Sequence, residues 1–385
     1  MRQDNQIFYR KIQAPFLIKS PALACGSQTK NTVCFAKGNA LYFGRLHPDL
    51  SNPKDFSGFE QDIKYFLKKN PRVIACDLHP EYQSTKYALS LSTQYPILNI
   101  QHHHAHIASC MAENGLRNQK VIGVAFDGTG LGSDNTIWGA EFLFCDYKHF
   151  QRKAYLREIP LLGGERAILE PYRMALAWLY LIYKEKFLSL DIPFIGVIDK
   201  NKWQVLKKLY LSGFNSPLVS SMGRLFDAAA SLILAKSRAR FEAELAIELE
   251  KLALRYALSL TGRQAGASPY NFNLTKRNGL YVIDPVPVFK GLIADLRARR
   301  PTEKTAYRFH LTVSEIVGKT CSVLRRDIKN DKVVLSGGVF QNSLLLRLSL
   351  DLLCKQGFKV FTHQRLSSND SCVSLGEAVI AGFAG

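Results

Sequence analysis

Short runs of β-branched and aromatic residues recur along this 385-residue chain, and segments with helical periodicity separate them. The strand-like runs are Val33–Phe35, Val73–Ala75, Ile97–Ile100, Val121–Phe126, Val333–Leu335 and Phe358–Phe361, several of them ending in Gly, Asp or Ser turns. Helical patterns occupy Asp62–Lys69, Ala167–Lys186, Leu225–Ala235 and Phe241–Leu258. Strands mixed with helices at this density imply an α/β architecture. The stretch Leu260–Pro287, rich in Gly, Asn and Pro, reads as loop and short strand.

The length suits two lobes, each with its own core. A hydrophobic fraction of 47% excludes disorder as a class. No apolar run approaches the roughly 20 residues that span a bilayer. The longest, Met174–Tyr183, is followed at once by Lys184 and Glu185 and reads as a buried helix. Residues Met1 to Lys11 lead into no signal-type apolar core, so the expected location is the cytoplasm and no membrane partner is expected. Eight scattered cysteines without a Cys-x-x-Cys pair argue against a zinc ribbon and a disulfide framework. The net charge of +19 fits nucleic acid, an acidic partner or a phosphorylated ligand. Its dense clusters, Arg297-Ala-Arg-Arg300 and Arg325-Arg326, lack interleaved aromatics, so they read as solvated faces and nucleic acid is not the expected partner.

Five short constellations carry chemistry. In Gln101-His-His-His-Ala-His106, a helix beginning near His102 puts His102 and His106 on one face, able to hold one metal, while His103 and His104 point elsewhere or meet substrate. The plain alternative is a polar helix start. In Val121-Ile-Gly-Val-Ala-Phe-Asp127-Gly128-Thr129-Gly130, a strand delivers a carboxylate into a Gly-rich turn fit for phosphate and a cation, or else makes a type I′ hairpin turn. Leu335-Ser-Gly337-Gly338-Val-Phe-Gln-Asn342 reads as a strand, a glycine pair against a nucleotide, and a helix with Asn342 one turn in; a plain strand-to-helix turn is the alternative. Ser220 or Ser221 can cap a helix on which Asp227 faces outward as a ribose acceptor, or as an ordinary exposed Asp. Ser368-Asn-Asp370 supplies another hard oxygen, or only a capped turn. Two weaker candidates are Lys30, the cation of a β-turn-β phosphate clip over Ala24–Cys34, and Arg173, facing an anion or solvent at a helix start.

Taken in order, these pieces resemble the C-terminal half of the HypF hydrogenase-maturation carbamoyltransferases. The resemblance covers nearly the whole chain. It rests on Asp77-Leu-His-Pro-Glu-Tyr82, Gln101-His-His-His-Ala-His-Ile-Ala108, Asp127-Gly-Thr-Gly130, Thr136-Ile-Trp-Gly139, Ser221-Met-Gly-Arg-Leu-Phe-Asp227 and Leu335-Ser-Gly-Gly-Val-Phe-Gln-Asn342. That region is similar in fold to TsaD and so to the actin-like ATPase superfamily. The resemblance therefore implies two ribonuclease-H-like lobes with a nucleotide and metal site in the cleft. The expected division is an extension over 1–20, a first lobe over 21–120, and a second lobe over 121–385 with a helical insertion and a nucleotide-binding C-terminal part.

The resemblance also implies iron or zinc on His102, His106, Asp127 and Asp370, and adenosine against Asp227, Gly337, Gly338 and Asn342. The substrate it implies is carbamoyl-adenylate, derived from ATP and releasing AMP, and the acceptor is the C-terminal cysteine of a HypE-like partner. The family's upstream modules, including the one that forms carbamoyl-adenylate, have no counterpart in this sequence, so a separate module is expected to supply it. After Asp370 the family has two glycines where this chain has Ser371 and Cys372, and its Glu-Gly-Gln appears as Glu242-Ala243-Glu244. These changes are expected to crowd the nucleotide, and Glu244 to place negative charge near phosphate. They keep a non-catalytic nucleotide-binding relative in view, beside O-carbamoyl transfer to a small molecule or carbamoylation of tRNA.

Overall fold

Two sheets face each other across a pair of helices. The computed structural model describes residues 10–259 and 267–384. Its first sheet runs in the order Cys34–Phe43, Lys11–Ala24, Val73–Asp77, Ile97–Ile100. The first pair is antiparallel and the others are parallel. The second sheet grows from a meander, Val121–Leu131, Ile137–Cys145 and Phe150–Leu156, with Lys332–Ser336 and Lys359–Phe361 added in parallel beside its first strand. A meander on one side and parallel strands on the other is the ribonuclease-H-like order. The chain uses it twice, the first lobe being one meander strand short. The short strands Asn273–Arg277 and Leu280–Asp284 extend the far edge, and residues 260–266 of the expected loop lie outside the described residues.

The first strand is longer than the sequence suggests. Residues 11–20, placed in an extension by the sequence, belong to the 14-residue strand Lys11–Ala24. Ile12, Ala14 and Ile18 face the core while Lys11 and Gln13 face out. Its pairing slips between Gln13 and Ile18 and again before Ala22, around Pro15 and Pro21, which cannot donate to a ladder. The apolar pattern Ala167–Lys186 is also divided. Pro171 separates Arg166–Leu169 from the helix Tyr172–Tyr183, whose residues 172–180 are all buried. No helix among the described residues is long and apolar enough to cross a membrane.

The two helices between the sheets are His102–Glu113 and Val373–Ala384. Residues 102–112 are buried on every side, which suits a helix enclosed by other elements rather than lying on a surface. Ile107 fills the space left by Gly123 on the second sheet. The C-terminal helix returns to the first lobe, where Gly382 lies against Ile18. A single apolar cluster, including Ala22, Ala105, Val121, Val334 and Leu375, therefore runs through both lobes. The helices cross where Gly376 meets the backbone of Ala105, and a Cβ on Gly376 would overlap the Ala105 carbonyl.

This crossing yields a stability prediction. Gly376→Ala forces the helices apart and is expected to cost about 1–3 kcal/mol or more, as overpacking does. Urea unfolding of parent and variant checks it. An unchanged midpoint would mean that the crossing is loose.

Candidate active site

His102, His106, Asp127 and Asp370 gather with Gly338 where strands end and the two lobes meet, the usual position for ligands in such sheets. The helix begins at His102, as its spacing suggests, with Gln101 as N-cap accepting from His104 N at 2.9 Å. His102 and His106 lie side by side with ring centroids 4.9 Å apart. Their Nε2 atoms stand 3.3 and 3.0 Å from Asp127 Oδ2, and 3.8 and 3.7 Å from Asp370 Oδ1. One donor atom from each of the four residues falls within 4.8 Å of the other three, a spacing that fits one ion. Two imidazoles and two carboxylates suit iron or zinc. His103 and His104 turn away, toward Gln101 Nε2 at 3.1 Å and the Asp146 carbonyl at 2.6 Å.

A second layer holds these rings. Asp77, at the end of Val73–Asp77, sits with Oδ2 2.6 Å from His102 Nδ1 and with Oδ1 accepting from His79 N at 2.9 Å. The imidazole is thereby fixed with Nε2 toward Asp127, the usual carboxylate–histidine device behind a metal ligand. His106 Nδ1 faces Ser336 Oγ and Cys372 Sγ, each at 3.4 Å. Burial pushes the pKa of His102 down, but Asp77, Asp127 and Asp370 outweigh it and hold the ring well above its ordinary value. Burial likewise raises Asp127, while hydrogen bonds from both histidines carry it well below the carboxylate range.

Several expectations are corrected. Asp127-Gly128-Thr129-Gly130 is neither a turn nor a hairpin tip but lies inside the strand Val121–Leu131. Pairing with Ile137–Cys145 continues past it, the register slipping between Phe126 and Gly130, and the turn comes later at Gly132–Thr136. The resulting bulge aims Asp127 at the histidines. Gly130 makes room for them too, since a Cβ there would stand 2.7 Å from His103 Cε1. Gly337 has φ +101°, and a Cβ there would overlap the Phe126 backbone, so only glycine fits. Gly338 follows beside Asp127 Oδ1. A one-turn 3₁₀ helix, Gly338–Gln341, intervenes before the next helix. Asn342 is therefore a cap and not one turn in; it accepts from Leu345 N at 2.9 Å, and its Nδ2 meets His310 Nε2 at 2.9 Å.

Ser221 does cap the helix Met222–Leu234, yet Asp227 faces inward, not outward. It is 2% exposed and lies 3.0 Å from Arg224 Nε, and burial pushes its pKa up to about 6. Lys30 lies on the short strand Thr29–Asn31, with Nζ 3.8 Å from Glu242 Oε2 of the other lobe. The Gly26 N–H that a phosphate clip would offer is already donated to buried Glu377 Oε2 at 2.8 Å. Arg173 is buried too and does not face solvent. Its donors go to Glu170 Oε2 at 2.6 Å and the Leu162 carbonyl at 3.2 Å, and none reaches the His–Asp cluster.

The side chains at the two family departures have partners of their own. Ser371 Oγ bonds back to Asn369 Oδ1 at 2.7 Å, and Cys372 is buried behind His106. Burial raises the Cys372 thiol, but His363 and His106 outweigh it and bring it down to about 6. Glu244 is engaged by Arg240 Nε at 2.7 Å. Ala243 takes φ +63°, a left-handed conformation that a glycine would adopt without strain. Asp77 and Arg224 carry no role in the sequence reading, although both lie in its motifs.

Residues 18–113 match the family model for the HypF Kae1-like domain. Residues 123–377 match that for the carbamoyltransferase Kae1-like domain, second subdomain. Fold and matches together place the chain in the Kae1-like class. It belongs to the HypF carbamoyltransferase family. Carbamoyltransferase HypF of Synechocystis sp. is 33% identical over 382 residues, covering 95% of this chain and 48% of that protein. A carbamoyltransferase HypF homolog of Cupriavidus necator is 32% identical over 375 residues, covering 94% of this chain and 91% of that protein. A crystal structure of full-length HypF in the phosphate- and nucleotide-bound form superposes with a TM-score of 0.88 at 37% identity, covering 97% of this chain and 57% of the other. This chain thus spans about half the length of the Synechocystis protein.

The geometry predicts how metal is held. The purified chain is expected to retain about one iron or zinc, and His102→Ala/His106→Ala to lose it. Asp77→Asn should weaken retention about 10–100-fold without removing a ligand. Elemental analysis and chelator competition measure both. Full metal content in the double variant would contradict the assignment.

Proposed function

We propose that this chain transfers the carbamoyl group of carbamoyl-adenylate to a thiol supplied by a partner protein. The observation that carries this reading is the convergence of His102, His106, Asp127 and Asp370 beside Gly337 and Gly338, in a family of carbamoyltransferases. In the reaction, thiolate sulfur attacks the carbamoyl carbon, the C–O bond to the phosphate of AMP breaks, and a thiocarboxamide and AMP result. The thiol proton leaves to solvent.

His102, His106, Asp127 and Asp370 would hold iron or zinc. Such an ion supplies positive charge to polarise the carbonyl or to offset charge on the departing phosphate. Asp77 keeps His102 in the orientation that this needs. Gly337 packs on the Phe126 backbone and Gly338 faces Asp127 Oδ1, so the glycine turn lies beside the strand that carries Asp127, where this reading seats the nucleotide. Asp227, buried on the helix Met222–Leu234, is the ribose acceptor in this reading. The acceptor in this reading is the C-terminal cysteine of a HypE-like protein, on the way to the cyanide ligand of a NiFe hydrogenase, in the cytoplasm. The side chains that favoured a non-catalytic relative support it less, because Ser371, Cys372 and Glu244 all turn to partners of their own.

The family models match residues 18–113 and 123–377 as Kae1-like domains, so these residues are read as using the activated intermediate and not as forming it. Given ATP, carbamoyl phosphate and acceptor, the 385-residue chain should produce neither pyrophosphate nor carbamoylated thiol. Adding a carbamoyl-adenylate-forming module should yield acceptor heavier by one carbamoyl group on intact-mass analysis. Turnover by the chain alone would show that no separate module is needed. An unmodified acceptor in the complete mixture would contradict the transfer reading.

A further inference from the structure

Arg224 is a buried charge with most of its donors unpaired among the described residues. It is 3% exposed, and its Nε and Nη1 have no hydrogen-bond partner among the described residues. Asp227 Oδ2 is 3.0 Å from Nε but out of line for a hydrogen bond, and that oxygen is also unpartnered. The two charges offset each other while the guanidinium's donors stay open. A buried guanidinium is costly to leave in that state, because each lost bond to water must be replaced.

The third nitrogen shows where the fork is aimed. A Cβ on Gly128 would stand 3.6 Å from Arg224 Nη2 and 3.1 Å from Glu242 Oε1, so both side chains lie over the glycine next to Asp127. Glu242 is half-exposed and sits between two cations, 3.9 Å from Arg224 Nη2 and 3.8 Å from Lys30 Nζ. Neither distance is a hydrogen bond. Lys30 belongs to the first lobe and Arg224 to the second, so a loosely held carboxylate bridges the cleft where an oxyanion would meet both.

We propose that Arg224 and Lys30 form an oxyanion-binding pair for a phosphate group, and that the Glu242 carboxylate occupies this place until phosphate displaces it. The planar fork suits two oxygens of one phosphate, and Lys30 adds a mobile point charge from the opposite wall. The inference rests on the nucleotide reading above and adds to it a residue that selects for the charged part of the ligand. A side chain at position 128 would meet Glu242 and narrow this space.

Calorimetric titration of ADP, adenosine and inorganic phosphate into parent, Arg224→Gln, Arg224→Lys and Glu242→Gln proteins tests this. Arg224→Gln should weaken ADP roughly tenfold to a hundredfold, the worth of charge-assisted bonds, and leave adenosine unchanged. Arg224→Lys should recover part of the loss. Glu242→Gln should tighten ADP and leave adenosine unchanged, and it keeps the test open should an Arg224 variant fail to fold. Parent protein that binds inorganic phosphate, with Arg224→Gln losing it, would show that the free anion is also a ligand. Phosphate binding absent while ADP responds would assign the pair to the nucleotide's ester phosphate. Equal weakening of ADP and adenosine, or no response of ADP to either substitution, would overturn the proposal. Failure of the parent to bind both ADP and adenosine would instead remove the nucleotide reading, and this inference with it.

Discussion

The charge balance around His102 and His106 governs how the two lobes meet. Taking imidazoles and carboxylates out of water costs several kcal/mol per ion unless each finds its counterpart. Here the counterparts come from separate places: Asp77 from the first sheet, Asp127 from the second, and Asp370 from the loop before the last helix. The histidine helix is enclosed between the sheets, so its rings reach all three only when the sheets are correctly placed. Apolar packing brings the lobes together, and the buried polar cluster specifies one arrangement among those that packing alone would allow. The same enclosure gives the cluster its chemistry, because interactions between charges strengthen as water is excluded.

Much of this was legible where a local pattern has a local cause. The i, i+4 spacing of His102 and His106 needs only a helix, and the strand Ile97–Ile100 followed by Gln101 starts one at the right place. The glycine pair at 337 and 338 likewise follows a buried strand. Less legible were features decided by partners far away in sequence. Asp-Gly is a strong local turn signal, yet pairing with Ile137–Cys145 keeps Asp127-Gly128 inside a strand. Asp227 gave no sign of burial, although its spacing from Arg224 already placed the two side by side on a helix. The role of Asp77 depends on a contact 25 residues away. The 27-residue helix Thr302–Ile328 is rich in Thr, Val and Ser, so tertiary packing forms it against modest propensity.

The loop after Asp370 shows how a departure from a family pattern can be absorbed. Ser371 turns back onto Asn369, and the Ser371 carbonyl accepts from Thr32 Oγ1 at 2.8 Å, tying the loop to the first lobe. Cys372 takes up space behind His106, and beyond it His363 is held by Glu113 at 2.7 Å. A chain of buried polar groups thus backs the imidazole of His106 from the side opposite Asp127. The thiol is close to the cluster but separated from it by the His106 ring, so the donor set facing the cleft consists of nitrogen and oxygen.

X-ray absorption on the purified, metal-bearing chain at the iron and zinc edges tests this most directly. The predicted first shell contains only nitrogen and oxygen, with two imidazoles and metal–nitrogen distances of about 2.0–2.1 Å if zinc is bound. A sulfur scatterer at about 2.3 Å would put Cys372 in the first shell and contradict the His102, His106, Asp127 and Asp370 assignment.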